Sequence, residues 1–153
     1  MYRLAYRNGP GGESLVVNHS VTVASGKNRK SQNTSIRWYK INLTAGSPVV
    51  SQQGTLNADD GISRWMGSIA QDKVGNIALG YSASSAIVYP SVRFTGRVPT
   101  DNPGTMQAET VVKAGTGSQL QNLSRWGDYS AMTIDPVDDC TFWYTNEYMS
   151  PEA

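Results

Sequence analysis

Blocks of this sequence recur roughly 60 residues apart, and that recurrence constrains the fold more than any single motif. Leu15 to Val21 (LVVNHSV) aligns with Ile77 to Ala83 (IALGYSA) at an offset of 62. Val50 to Thr55 (VSQQGT) aligns with Val111 to Thr116 (VVKAGT), and Ile62-Ser63-Arg64-Trp65 with Leu123-Ser124-Arg125-Trp126, both at 61. Ser35-Ile36-Arg37-Trp38 matches Ser91-Val92-Arg93-Phe94 at 56, and the ten residues from Asp72 to Tyr81 match Asp135 to Tyr144 at 63. His19, Tyr81 and Tyr144 thereby share one repeat position. An offset that drifts across turns while blocks persist is the mark of stacked units whose insertions sit in loops.

Within each unit, short runs rich in Val, Ile, Tyr, Trp and Thr alternate with clusters of Gly, Asn, Ser, Asp and Pro, the strand and turn signature. Ten strands are predicted, at 2–7, 14–23, 34–43, 47–54, 66–72, 76–84, 90–97, 106–114, 129–135 and 140–148. The segment Asp72-Lys-Val-Gly-Asn76 reads as a hairpin turn, with Asp72 and its repeat partner Asp135 capping their hairpins. Charged residues make up only 16% of the 153 residues, against about 25% in ordinary globular chains, which argues against long charged helices. Four strands per unit gives an all-β chain, a partial β-propeller of about two and a half four-stranded antiparallel blades: 1–57, 58–121 and a half blade at 122–150. A ten-stranded sandwich has the same strand count but needs no ordered resemblance between its strands.

The stretches Arg64-Trp65-Met66-Gly67-Ser68 through Tyr81-Ser82, and Arg125-Trp126-Gly127-Asp128-Tyr129 through Tyr144 to Tyr148, resemble a family of large secreted bacterial proteins with sialidase-like (BNR-type) β-propellers. The resemblance covers nearly the whole chain. The family's Asp-box, Ser/Thr-x-Asp-x-Gly-x-Thr-Trp, is degenerate here: Thr133-Ile134-Asp135 opens it, but the segment Asp138 to Trp143 carries an insertion and no Gly. The resemblance implies a secreted or cell-surface parent, a chain cut from a longer propeller, and a partner for Cys140 in the part beyond. The first 15 residues show no secretory leader pattern, and a single cysteine allows no internal disulfide.

An open propeller leaves an unpaired edge and two uncovered faces, so the ring is expected to close by homo-oligomerisation, as a dimer or trimer. A net charge of +1 supplies no basic footing for nucleic acid or an anionic membrane, and no apolar run reaches the ~18 residues that span a bilayer.

For ligand binding, Arg64, Trp65, Arg125 and Trp126 precede corresponding strands of successive units, where Arg suits a carboxylate or phosphate and Trp a sugar face. The competing reading is packing between blades, and it is heavier still for Arg37-Trp38 and Arg93-Phe94. For catalysis, Asp128, Tyr129 and Glu147 offer a tyrosine and carboxylates, and His19 is the sole neutral-pH base, set against its repeat-defined packing position. Asp135, Asp138 and Asp139 are oxygen donors of the kind that hold Ca²⁺ or another divalent metal, or else solvated turn residues. Two functions follow as expectations: a self-assembling scaffold that binds partners, carbohydrate among them, or a hydrolase of glycosides or phosphoesters with a carboxylate or metal site at the channel or between chains.

Overall fold

The computed structural model describes residues 4–25, 31–44, 46–56, 60–120 and 125–151. Ten strands run through them: β1 (Ala5–Gly9), β2 (Gly12–Ser25), β3 (Ser31–Asn42), β4 (Val49–Thr55), β5 (Ser63–Gln71), β6 (Ile77–Ser85), β7 (Val88–Arg97), β8 (Thr110–Lys113), β9 (Ala131–Ile134) and β10 (Phe142–Thr145). No helix occurs among the described residues. The strands form two consecutive four-stranded antiparallel meanders, β1-β2-β3-β4 and β5-β6-β7-β8, followed by the two-stranded hairpin β9-β10. The described residues close neither a barrel nor a ring. Residues 2 and 3 of the first expected strand, the divisions at 57/58 and 121/122, and the pair Leu123-Ser124 lie outside the described residues.

The expected strands match the observed ones in number and order, but the last three are shortened to four residues each, from 106–114, 129–135 and 140–148. In place of 106–114, only Thr110–Lys113 pairs with β7, because residues 105–109 turn toward the first sheet. Gln107 still donates its backbone N–H to the Gly96 carbonyl at 2.8 Å, while Met106 packs against the core.

The hairpin turns carry the caps read from the sequence. Asp72 Oδ1 accepts the backbone N–H groups of Val74 and Asn76, and Gly75 takes φ 92°, a left-handed value that favours glycine. Asp135 Oδ1 accepts the Val137 N–H in the equivalent turn. Each carboxylate thus satisfies backbone donors that a tight turn would leave without partners.

Strand periodicity decides what each face does. From β2 and β3, Val16, Ile36 and Trp38 point at the second sheet and meet Ile69, Ile77, Leu79 and Tyr81 in one buried core. The other face of the second sheet carries Ala70 and Ala78, which pack on Met132 with Ile134, Phe142 and Tyr144 of the hairpin. Strand β6 is buried along Ile77–Ala83 because it is covered on both faces. The three layers therefore stack in chain order, each leaning on the one before.

Close approach between layers requires small residues at two points. A Cβ on Gly80 would lie 2.5 Å from the Tyr144 ring, and one on Gly67 would lie 2.5 Å from Asn18 Oδ1. Gly67 belongs to a bulge in β5 between Trp65 and Ser68, where Met66 adopts φ 50°. That bulge turns the Met66 carbonyl outward, where it accepts the Ser130 hydroxyl at 2.7 Å and links β5 to the segment that enters β9.

Candidate functional site

The densest cluster of charged side chains sits between the two large sheets. Cross-strand pairing of Tyr81 with Arg93 puts both on the face of the second sheet that looks at the first, and Arg64, opposite Ala83 on β5, shares that face. Glu109, immediately before β8, reaches in from the shortened strand. Its Oε2 accepts Arg64 Nε at 2.7 Å and the Tyr81 hydroxyl at 2.6 Å; its Oε1 accepts Arg64 Nη2 at 3.3 Å and Arg93 Nη1. Arg64 completes its fan with Asp60, 2.7 Å from Nη2 to Oδ2, and with the Ile62 carbonyl at 3.0 Å.

This cluster is electrically balanced, two guanidinium groups against two carboxylates, and buried at Arg64: its side chain is 5% exposed, those of Glu109 and Asp60 21% and 36%. Burial alone pushes the Glu109 carboxyl up, but hydrogen bonds from Arg64, Tyr81 and Arg93 outweigh it and hold the group below the ordinary glutamate range. Burial works against the Arg64 charge too, and Asp60 and Glu109 more than offset it. Tyr81 is pushed well up by burial and by its bond to Glu109, so its phenol stays protonated.

With four donors already on two oxygens, Glu109 has no acceptor position left for a substrate proton, and Tyr81 cannot supply a phenolate. The group orients and holds. It opens onto a cavity of about 340 Å³ lined by Trp38, Thr55, Thr95, Met106 and Gln107 as well as by Arg64, Tyr81 and Glu109, near the small end of the range for small-molecule sites.

The sequence-derived candidates are dispersed relative to this cavity. Arg64 lines it, but its donors face Asp60, Glu109 and a carbonyl. Trp65, half-buried, pairs with Ser82 across β5-β6. Arg125 is exposed and held by Asp128, with Nε 2.6 Å from Oδ2. Trp126 is half-buried, and its indole N–H is buried without a partner among the described residues. Tyr129 and Glu147 are exposed. His19 lies on the face of the first sheet opposite Val16 and Asn18, stacked on Tyr39 with ring centroids 5.7 Å apart and Nε2 3.2 Å from the Tyr39 hydroxyl.

The aspartates of the last hairpin serve the turn and its neighbours. Asp138 accepts the N–H groups of Cys140 and Thr141, both at 2.8 Å, and the Thr141 hydroxyl bond leads the interactions that hold its carboxyl down at about 2. Asp139 reaches Arg7, and Asp135 accepts the Trp143 indole N–H at 2.9 Å. Among the described residues no three His, Cys, Asp or Glu side chains gather in a way that would hold a metal ion. Cys140 is a free, half-buried thiol.

Comparison of the chain with protein families, with curated proteins and with solved structures finds no match. Reading the sequence missed Glu109 altogether and treated Tyr81 only as a repeat position. A usable signal existed: Tyr81 and Arg93 fall on the same face of neighbouring strands once the hairpin between β6 and β7 is placed, and a polar pair on a core face requires a charged partner.

Proposed function

We propose that this chain is a self-assembling β-propeller module whose units stack in one direction, closed into a ring by further copies, and that it acts as a binding scaffold. The observation that carries this reading is an inverse pattern of exposure between repeat partners. Trp38 and Phe94 are equivalent; Trp38 is 0% exposed beneath the second sheet, whereas Phe94 is 39% exposed where the two-stranded hairpin stops short of β7. Arg37 and Arg93 are equivalent on the opposite face; Arg93 is buried against the first sheet and Arg37 is exposed. Each position is buried where a neighbouring layer exists and open where it does not.

The leading face of the first sheet presents Tyr6, Leu15, Tyr39 and Ile41, and the trailing face of the hairpin presents Trp143, which is 59% exposed, between Thr133 and Thr145. Joining leading to trailing faces is a heterologous contact that forms rings when the rotation closes. Joined in this way, two chains make a ring of four four-stranded units and two hairpins, and three chains a ring of six and three; dimer and trimer are the two closures proposed. The charge-balanced cavity favours a neutral, polar ligand, and carbohydrate has that chemistry.

Light scattering and native mass spectrometry test the assembly. A mass at a multiple of 16.6 kDa, returned to 16.6 kDa by Trp143→Arg, is the expected result. A stable wild-type monomer at all concentrations would overturn it. Chromogenic glycosides and phosphoesters, assayed with and without chelator, are expected to give flat traces; turnover that chelator abolishes would instead establish the hydrolase.

A further inference from the structure

A second cavity, about 230 Å³, lies at the end of the sheets between the β1-β2 turn, the β5-β6 turn and the last residue of β7. Three cations line it, Lys40 from β3, Arg97 from β7 and Lys73 from the β5-β6 turn, against one carboxylate, Asp72. Arg97 is only 3% exposed, yet no carboxylate among the described residues pairs with it: Nε donates to the Thr105 carbonyl at 3.1 Å and Nη2 to the Asp101 carbonyl at 3.0 Å, with the guanidinium 5.9 Å from the Trp38 ring centroid. Nη1 has no hydrogen-bond partner among the described residues. Lys40 is half-buried and likewise makes no ion pair among the described residues; burial, and then the charge of Arg97, lower its proton affinity.

A buried guanidinium and a half-buried ammonium facing one cavity is an arrangement that costs free energy unless an anion completes it. The acidic groups nearby are committed elsewhere. Asp72, which lines the same cavity, holds Val74, Asn76 and the Asn76 amide in its own turn, and Asp101 accepts the Val98 N–H and the Gln107 amide. Lys73 turns away to the Asp138 carbonyl at 2.6 Å.

We propose that Lys40 and Arg97 bind a small oxyanion, inorganic phosphate or sulfate in chemistry, bridging the first and second sheets. Arg97 supplies a fixed planar donor and Lys40 a mobile point charge, with Ser14, Gln52 and Gln71 as neutral polar walls. The volume falls below the usual 300–1,000 Å³ of sites for larger organic ligands and suits a small ion. The site lies within one chain, so it stands or falls independently of ring closure.

The test is thermal denaturation and calorimetry of the full chain with sodium phosphate, sodium sulfate and sodium chloride at matched ionic strength. The melting temperature is expected to rise and saturate with phosphate or sulfate at millimolar concentration, and not with chloride. Lys40→Gln, which keeps the fold because the side chain bridges to no carboxylate, is expected to weaken oxyanion binding at least tenfold while melting higher than wild type in anion-free buffer. Arg97→Lys, which retains charge but loses the planar fork, is expected to weaken it less. A non-saturating rise shared by all three salts, or oxyanion binding by Lys40→Gln within twofold of wild type, would overturn the proposal.

Discussion

Arg7 and Asp139, separated by 132 positions in the chain, share two hydrogen bonds of 2.8 and 2.6 Å. Arg7 belongs to β1 of the first sheet, Asp139 to the turn of the last hairpin, and Arg7 Nε also donates to the Gln71 carbonyl of β5 at 3.1 Å. One guanidinium therefore ties the outer layers to each other across the middle one. The bidentate bond to Asp139 raises the proton affinity of Arg7 and lowers that of Asp139, as mutual stabilisation of two charges requires.

Breaking this clasp is expected to loosen the hairpin selectively. Asp139 has φ 57°, a conformation asparagine accepts readily, so Asp139→Asn removes charge without adding backbone strain. Hydrogen exchange should show several-fold faster exchange in Ala131–Ile134 and Phe142–Thr145, with the first sheet unchanged. A uniform change across all three layers would contradict the assigned role.

Acid should destabilise the chain through the same turn. Asp138 is held at about 2 when folded and returns to about 3.9 when unfolded. A depressed folded value means that the unfolded chain binds the proton more tightly. The contribution is therefore present above about pH 4 and lost as pH falls toward 2, with Asp139, Asp60 and Glu109 shifted in the same direction. The melting temperature of Asp138→Asn should fall less steeply over that window than that of the wild type; coincident acid limbs would refute the attribution.

Gly80→Ala should separate the hairpin from the second sheet. The added methyl lies 2.5 Å from the Tyr144 ring, and overpacking of this kind costs about 1–3 kcal/mol. Burial pushes the Tyr144 phenol up to about 12, as expected for a ring sandwiched between layers. Combining Gly80→Ala with Tyr144→Ala should recover part of the loss, measured by urea denaturation of the four members of the cycle. Strict additivity would place the clash elsewhere.

Glu109→Gln should be the most damaging single change at the charged cluster. Glutamine offers one acceptor oxygen in place of two, leaving Arg64 with Asp60 as its one carboxylate and Arg93 with none among the described residues. Loss of one partner from a buried pair costs about 3 kcal/mol or more, a large share of the roughly 5–15 kcal/mol that holds a domain together. Guanidinium denaturation supplies the number. A change below 1 kcal/mol would show that water, not Glu109, compensates the arginines.

How far the chain can be read before folding is clearest at particular residues. Strand number, strand order and the two aspartate caps were legible because alternation and turn chemistry are local: Asp72 and Asp135 bond to backbone two residues away. The repeat also paired Trp38 with Phe94 and Arg37 with Arg93, but their opposite exposures depend on whether another layer lies above them. No residue within reach of sequence inspection marks that difference. Glu109 was invisible for a related reason. Its partners lie 45, 28 and 16 positions away and converge only because β5, β6 and β7 adjoin in one sheet and Glu109 precedes the regular pairing of β8.

The sequence by itself determined the period, the all-β class and the turns, since each follows from interactions spanning a few residues. Tertiary structure alone decided which face of each sheet is covered, which arginines have counter-ions, and why Lys40 and Arg97 share a cavity with no ion pair to either among the described residues. Burial and charge balance are properties of what packs above a residue, and that neighbour is supplied by a different strand.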